Sequence, residues 1–188
     1  FPADFDESKK YPVIIVGHPT GSCEEQTSGN IYSKQLAEHG FVAITFDASF
    51  QGESGGEPRF TEDPGFRVSD FSYVVDYLVT QPYVNEEKIG LIGICGGGGY
   101  AVAATMLDRR IKALATVVGS NVGRLMREGF SNYDPLGMLE ALAAQRTAEA
   151  RGAATLCAWA WACSRGQPNQ LLRLSARASA PRPSQACT

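Results

Sequence analysis

Three features of this 188-residue chain predict an α/β fold, a three-layer αβα sandwich around a mostly parallel sheet. First, apolar and β-branched runs alternate with amphipathic segments over most of the chain, which is typical of a parallel sheet with helical crossovers. Second, the apolar runs show no polar alternation, as in strands buried on both faces. Third, a Gly-rich turn at 93–97 joins one of these runs directly to a segment of small residues.

The first half of the chain carries two predicted strands and two predicted helices. The strands are 12–17 (PVIIVG) and 41–46 (FVAITF), apolar runs of strand length. The segment 27–39 has apolar residues at helical spacing, and Gly40 predicts its end. The segment 68–80 shows one apolar helical face.

The second half repeats the pattern. Residues 88–94 and 111–118 are apolar runs that predict two further strands, and 98–107 predicts the helix between them. Residues 135–150 are rich in Ala, Leu, Glu and Arg and predict a last helix.

The chain divides into a predicted core at 1–150 and an atypical tail at 151–188. After Glu149 there is no Asp, Glu or Lys, while both tryptophans and three of the five cysteines lie in the tail. Two interpretations stay open: a flexible, disordered tail, or a segment translated from a shifted reading frame or joined from elsewhere.

Composition excludes several classes of protein. With 44% apolar and 20% charged residues the chain is an ordinary globular protein. Its net charge of −3 argues against nucleic acid or an anionic membrane as partner, and no apolar run is long enough to cross a bilayer. The N-terminus lacks a secretion signal, and the odd, scattered cysteines argue against a disulfide framework. We expect a cytoplasmic location.

The turn at 93–97 predicts a nucleophile elbow with cysteine at the reactive position. Gly93, Cys95 and Gly97 match the pattern Gly-x-nucleophile-x-Gly between a strand and a helix. The helix N-terminus favours a thiolate at Cys95. The alternative is a buried structural thiol, but the strand–turn–helix context favours a catalytic role.

The oxyanion donors follow from the same geometry. The N–H of Gly96, directly after the nucleophile, is one expected donor, and the second should come from the loop after an earlier strand. The loop 18–21 lies in that place, and we predict the N–H of Thr20.

A general base is missing from the expected position. The only histidines, His18 and His39, both precede Cys95, whereas the base of such an elbow normally follows the nucleophile. We predict that His18 fixes its loop by hydrogen bonds and that His39 is a solvated residue at a helix end. Neither has partners at metal-ligand spacing, so we predict no metal and no cofactor.

Other patterns have weaker interpretations. Residues 52–56 (GESGG) also match the elbow pattern, but they lie in a polar loop with Pro58 right after them, so we predict a turn. The glycines at 96 and 98 lack the acidic residue that a dinucleotide site requires on the next strand. Asp47 and Asp70 are predicted to brace or cap loops.

Three segments together resemble the α/β-hydrolase superfamily, and within it the dienelactone-hydrolase-like branch, which includes uncharacterised bacterial hydrolases and fungal polyketide transferases. They are residues 11–19, 46–58 and 93–100. The resemblance covers about residues 8 to 150. It implies an eight-stranded, mostly parallel sheet and a Cys/Ser–Asp–His triad acting on esters or thioesters, with the nucleophile at Cys95 and the oxyanion donors at Gly96 and Thr20.

The chain departs from this family after residue 150. Asp108 and Asp134 do not stand in the family's acid position, and nothing matches its histidine. We therefore expect a truncated hydrolase whose C-terminal strands are missing, with an uncovered sheet edge and either marginal stability or self-association.

Three functions remain open at this stage. The first is a hydrolase of esters, lactones or thioesters that uses Cys95 and is impaired in this chain. The second is an acyl or polyketide transferase on the same fold, and the third a non-catalytic, truncated pseudoenzyme. For the first two the expected partner is a small-molecule acyl substrate.

Overall fold

A four-stranded, fully parallel sheet forms the centre of the computed structural model, which describes residues 1–128 and 135–153. The strand order is β2-β1-β3-β4. The strands are β1 at Tyr11–Gly17, β2 at Val42–Thr45, β3 at Val84–Ile94 and β4 at Ala113–Val117. The predicted α/β class and all four predicted strands are confirmed.

Helices connect the strands as predicted, apart from differences at the starts of two of them, and a further short helix after β4 was not predicted. They are a π-helical turn at Ser28–Ser33, α1 at Lys34–Glu38, α2 at Pro64–Val79, α3 at Gly96–Leu107, α4 at Val122–Glu128 and α5 at Pro135–Ala150. The helix predicted at 27–39 therefore begins as a π-helix. The helix predicted from residue 68 begins earlier, because the Asp63 carboxylate caps the N–H groups of Gly65 and Phe66.

The order of the strands explains the three layers. The chain moves from β1 to β2 in one direction along the sheet and from β2 to β3 and β4 in the other. Parallel crossovers are right-handed, so a reversal of direction places the connecting helices on opposite faces. The π-helical turn and α1 accordingly lie on one face, and α2 and α3, which contact each other, lie on the other.

The carboxyl ends of β1 and β3 lie side by side at the point where the strand order reverses. Gly17 pairs with Gly93 there. In open α/β sheets, ligands bind in the crevice at such a switch point. The loop with Thr20 and the elbow with Cys95 both start from it.

The core lies between the sheet and the helices α2 and α3. Val13, Ile15 and Leu91 are almost fully buried in it. Phe71 of α2 comes so close to the end of β1 that a β-carbon on Gly17 would lie 2.5 Å from its ring. This close approach packs α2 against the carboxyl end of β1.

β4 differs from the buried strand that its apolar sequence predicts. Residues 113–116 are exposed within the described part of the chain, where β4 is an edge strand. The sheet has four strands in this part, whereas the family resemblance implies eight. The predicted tail from residue 154 onward, like Asp134, lies outside the described residues.

Candidate active site

Cys95 occupies a strained turn between β3 and α3. Its backbone has φ 53° and ψ −122°, a conformation that costs a residue other than glycine about 1–3 kcal/mol. Three hydrogen bonds hold it there. The Cys95 N–H donates to Val117 O (2.9 Å), and the Cys95 carbonyl accepts from the N–H groups of Gly98 (2.9 Å) and Ser120 (3.0 Å).

The glycines around the turn are required by close contacts. A β-carbon on Gly93 would lie 2.5 Å from the carbonyl oxygen of Gly97 and 2.6 Å from the Ala101 β-carbon. A β-carbon on Gly97 would collide with the carbonyl oxygen of His18. These contacts explain why both positions of the pattern are glycine.

Thr20 and Gly96 lie against each other beside Cys95. The Thr20 hydroxyl oxygen is in the space that a β-carbon on Gly96 would fill. That hydroxyl is buried and has no hydrogen-bond partner within the described residues. The structure thus brings together the three site residues that the sequence predicts, although they come from two distant segments.

Ser120 also reaches Cys95, which sequence reasoning missed. The Cys95 Sγ lies 3.9 Å from the Ser120 Oγ, and Cys95 is half-buried with a free thiol. Ser120 follows β4, the neighbour of β3. The signal in the sequence that could have indicated it was its place directly after a predicted strand. The other described cysteine, Cys23, is disulfide-bonded, although the scattered cysteines predicted no disulfide framework.

His18 is fully buried and fixes its loop, as predicted. Its Nδ1 lies 2.7 Å from Pro19 O, and its Nε2 accepts from the Ala48 N–H at 3.1 Å. These partners assign the proton of the neutral ring to Nδ1. Burial, and then the charge of Arg67, lower the pKa of His18 to about 3. His39 is exposed, with its Nδ1 2.7 Å from Gln35 O at the end of α1, as expected of a solvated residue.

A buried arginine contacts the loop after β1, and sequence reasoning missed it. Arg67, in the first turn of α2, is 3% exposed. Its guanidinium contacts the His18 Nε2 (3.0 Å) and donates to the His18 carbonyl (2.8 Å). The Arg67 Nε lies 3.1 Å from a Glu62 carboxylate oxygen, an ion pair whose angles are not those of a hydrogen bond.

The acidic residues near the site brace loops, as predicted. Asp47 accepts from the N–H groups of Glu24 and Glu53, both at 2.8 Å. Asp70 accepts from the N–H (2.8 Å) and hydroxyl (2.7 Å) of Ser49. The pattern at 52–56 is part of this braced loop, and no helix starts directly after it, because α2 begins only at Pro64.

An open groove of about 270 Å³ lies apart from the elbow, between α2 and the loop after β2. Tyr73 and Tyr77 of α2 line it together with Phe46, and Cys95 does not. Within residues 1–128 and 135–153, no cluster of His, Cys, Asp and Glu could hold a metal ion. No helix of that part is long and apolar enough to cross a membrane.

Comparison with known proteins places these features in a family. The sequence model of the family described as X-Pro dipeptidyl-peptidase (S15 family) matches residues 1–180. The uncharacterized protein YcjY of Escherichia coli K12 is 49% identical over 153 residues, which are 79% of this chain and 50% of YcjY. The polyketide transferase GrgF of Penicillium sp. is 30% identical over 113 residues, 60% of this chain and 38% of that protein.

Solved structures agree with the sequence matches. The crystal structure of hypothetical protein PA2218 from Pseudomonas aeruginosa superposes with a TM-score of 0.73 at 40% identity, covering 80% of this chain and 47% of that one. The crystal structure of the α/β hydrolase GrgF gives 0.62 at 25% identity, covering 81% and 49%. The chain thus spans about half the length of these relatives. The predicted α/β-hydrolase fold is confirmed, while the dienelactone-hydrolase-like branch stays a prediction.

Proposed function

Because the chain belongs to the X-Pro dipeptidyl-peptidase (S15) family and has the α/β-hydrolase fold, we propose that it performs acyl transfer through Cys95. The observation that carries this proposal is the strained backbone of Cys95 between β3 and α3. Strain of this size persists where the surrounding structure holds it, and it is typical of reactive positions. The substrates proposed are small esters, lactones or thioesters.

In the proposed reaction the Cys95 thiolate attacks the acyl carbonyl carbon. A sulfur–carbon bond forms, and the carbonyl oxygen takes up the electron pair and becomes an oxyanion. The N–H groups of Gly96 and Thr20 are the proposed donors to this oxygen, and the N-terminus of α3 adds its positive dipole end. When the oxyanion collapses, the bond to the alcohol or thiol breaks, and the leaving group takes a proton from water.

Release of the acyl group is expected to be the slow step. Hydrolysis of the acyl-enzyme, which is a thioester of Cys95, requires a base that activates water. Both ring nitrogens of His18 lie against backbone partners, and His39 stands at the end of α1. We therefore propose that the acyl-enzyme accumulates in this chain.

Transfer to an acceptor other than water is the second candidate function. The similarity to the polyketide transferase GrgF favours it. It shares the acyl-enzyme with hydrolysis and differs only in whether an alcohol, amine or thiol attacks the acyl carbon. A cytoplasmic location and the lack of a cofactor remain part of the proposal.

The test is acylation of the full chain with p-nitrophenyl acetate and S-phenyl thioacetate. We expect a burst of one leaving group per chain and an acetyl group on the peptide that contains Cys95, seen by mass spectrometry. Cys95→Ala is the control and should show neither. Added alcohols or amines that speed loss of the acetyl group would indicate transfer. A wild-type chain that is acetylated no faster than Cys95→Ala would reject the proposal and leave a non-catalytic chain.

A further inference from the structure

The buried guanidinium of Arg67 has no part in the reaction proposed above, yet it contacts both segments that carry the proposed oxyanion donors. A buried cation is costly unless several partners compensate for its lost hydration. Arg67 has partners on three sides: His18, Glu62 and the ring of Tyr100, 5.2 Å from its Cζ. These contacts join Arg67 to the loop after β1, to the segment before α2 and to α3.

The first set of Arg67 contacts fixes the loop after β1. One N–H of Arg67 faces the His18 ring at Nε2, and another donates to the His18 carbonyl. The two contacts hold both the side chain and the backbone of a residue that stands two positions before Thr20. The same His18 carbonyl oxygen lies against Gly97 of α3, where a β-carbon would collide with it.

The second contact of Arg67 is with α3. Tyr100 is 6% exposed and lies one turn after Gly96. Its ring lies against the Arg67 guanidinium, and burial together with the Glu62 carboxylate raises its pKa. Arg67 therefore contacts the loop that holds Thr20 and the helix that starts at Gly96.

We propose that Arg67 is a positioning residue that sets the separation between the backbone N–H groups of Thr20 and Gly96. This inference rests on the proposed function, because those two N–H groups matter only if an oxyanion forms beside Cys95. Arg67 touches neither the substrate nor the Cys95 sulfur. Its loss acts through the loop and the helix that it joins.

This role has a kinetic signature that a general loss of structure lacks. Acylation by a thioester passes through an oxyanion, whereas alkylation of Cys95 by iodoacetamide is a direct displacement without one. Removing a positioned oxyanion donor typically lowers the rate about 100- to 1,000-fold. Loss of Arg67 should therefore slow acylation and leave alkylation almost unchanged.

The experiment measures both reactions in the wild-type chain, Arg67→Met and Arg67→Lys. For Arg67→Met we expect an acylation rate constant about 100-fold lower at saturating S-phenyl thioacetate, with an alkylation rate close to that of the wild type. Arg67→Lys should not rescue acylation, because one ammonium group cannot replace a planar fork that reaches two atoms of His18. Equal loss of both reactions, or loss of neither, would overturn the proposal.

A second variant keeps the test valid if Arg67→Met does not fold. Glu62→Gln keeps the shape of the side chain and removes the charge that faces the Arg67 Nε. We expect slower acylation with unchanged alkylation and a melting curve that still shows one transition. If Glu62→Gln acylates as fast as the wild type, Arg67 does not set the donors. A wild-type chain that is not acylated would reject the proposed function itself. Variants that are acylated as fast as an active wild type would reject only the role of Arg67.

Discussion

The hydroxyl oxygen of Thr20 lies in the space that a side chain on Gly96 would occupy. The two residues stand 76 positions apart in sequence, and the pairing of β1 with β3 brings their segments together. Their contact makes the turn after Cys95 sensitive to a single methyl group.

Gly96→Ala should therefore disturb the site more than the fold. The added methyl group displaces Thr20, and an error of about 1 Å in a catalytic group costs about 100-fold in rate. Overpacking should also lower the free energy of unfolding by about 1–3 kcal/mol. Acylation kinetics and urea denaturation measure the two effects. Gly123→Ala in α4 is the matched control, since its methyl would meet only the flexible end of Arg127 at 3.3 Å and Asn121 at 3.5 Å. Normal acylation in Gly96→Ala would contradict the predicted arrangement.

The strain at Cys95 predicts that glycine is more stable than alanine at this position. Glycine adopts a positive φ at no steric cost, so Cys95→Gly should relieve the strain while losing about 0.5–1 kcal/mol to chain entropy. We expect Cys95→Gly to be about 1 kcal/mol more stable than Cys95→Ala in urea denaturation. Both variants lack the thiol, so neither should be acylated. A glycine variant less stable than the alanine variant would show that the turn is not strained.

The buried His18 predicts a pH dependence of stability. Its pKa is about 3 in the folded chain, against 6.5 for an unperturbed histidine. Between these values the unfolded chain binds a proton that the folded chain does not. The free energy of unfolding should therefore fall as the pH drops from 6.5 toward 3, by up to about 1.4 kcal/mol per pH unit, and the contribution should be complete above pH 6.5.

Denaturation at several pH values tests this prediction. The Arg110 side chain lowers the pKa of Asp108 to about 2, so Asp108 contributes only below its usual value of 3.8. Burial raises the pKa of Glu24 above its usual 4.5, so Glu24 also titrates between pH 4 and 6.5, and only the comparison with a His18 variant isolates the part that belongs to His18. His18→Gln should lose the slope in this window, and the exposed His39→Gln should keep it. A slope that persists in His18→Gln must come from another group.

Local patterns in the sequence were sufficient to predict where the four strands and most of the helices lie along the chain, and the glycine-rich turn between β3 and α3. The apolar runs depend on neighbouring residues alone, and the elbow is a contiguous motif whose glycines have steric causes. The start of α2 was placed too late, because it depends on the Asp63 cap rather than on apolar spacing. The π-helical turn has no signal in the residue pattern.

The contacts that Arg67 and Ser120 make could not be predicted in the same way. An arginine in the first turn of a helix is normally exposed. Arg67 is buried because folding brings it to His18, 49 positions earlier, and to Tyr100 on another helix. Ser120 reaches Cys95 only through the pairing of β4 with β3. Such contacts follow from strand order, which one sequence does not specify residue by residue.

The exposed apolar side chains near β4 predict self-association of this chain. Leu107 at the end of α3 is 77% exposed, and Val118 after β4 is 79% exposed. Large apolar patches and exposed strand edges typically bind another chain. Sedimentation velocity should show species larger than a monomer that increase with concentration. Leu107→Lys should shift them toward the monomer, whereas Ile31→Lys, an exposed residue of the π-helical turn, should not. A wild-type chain that stays monomeric at all concentrations would show that this surface binds no second copy.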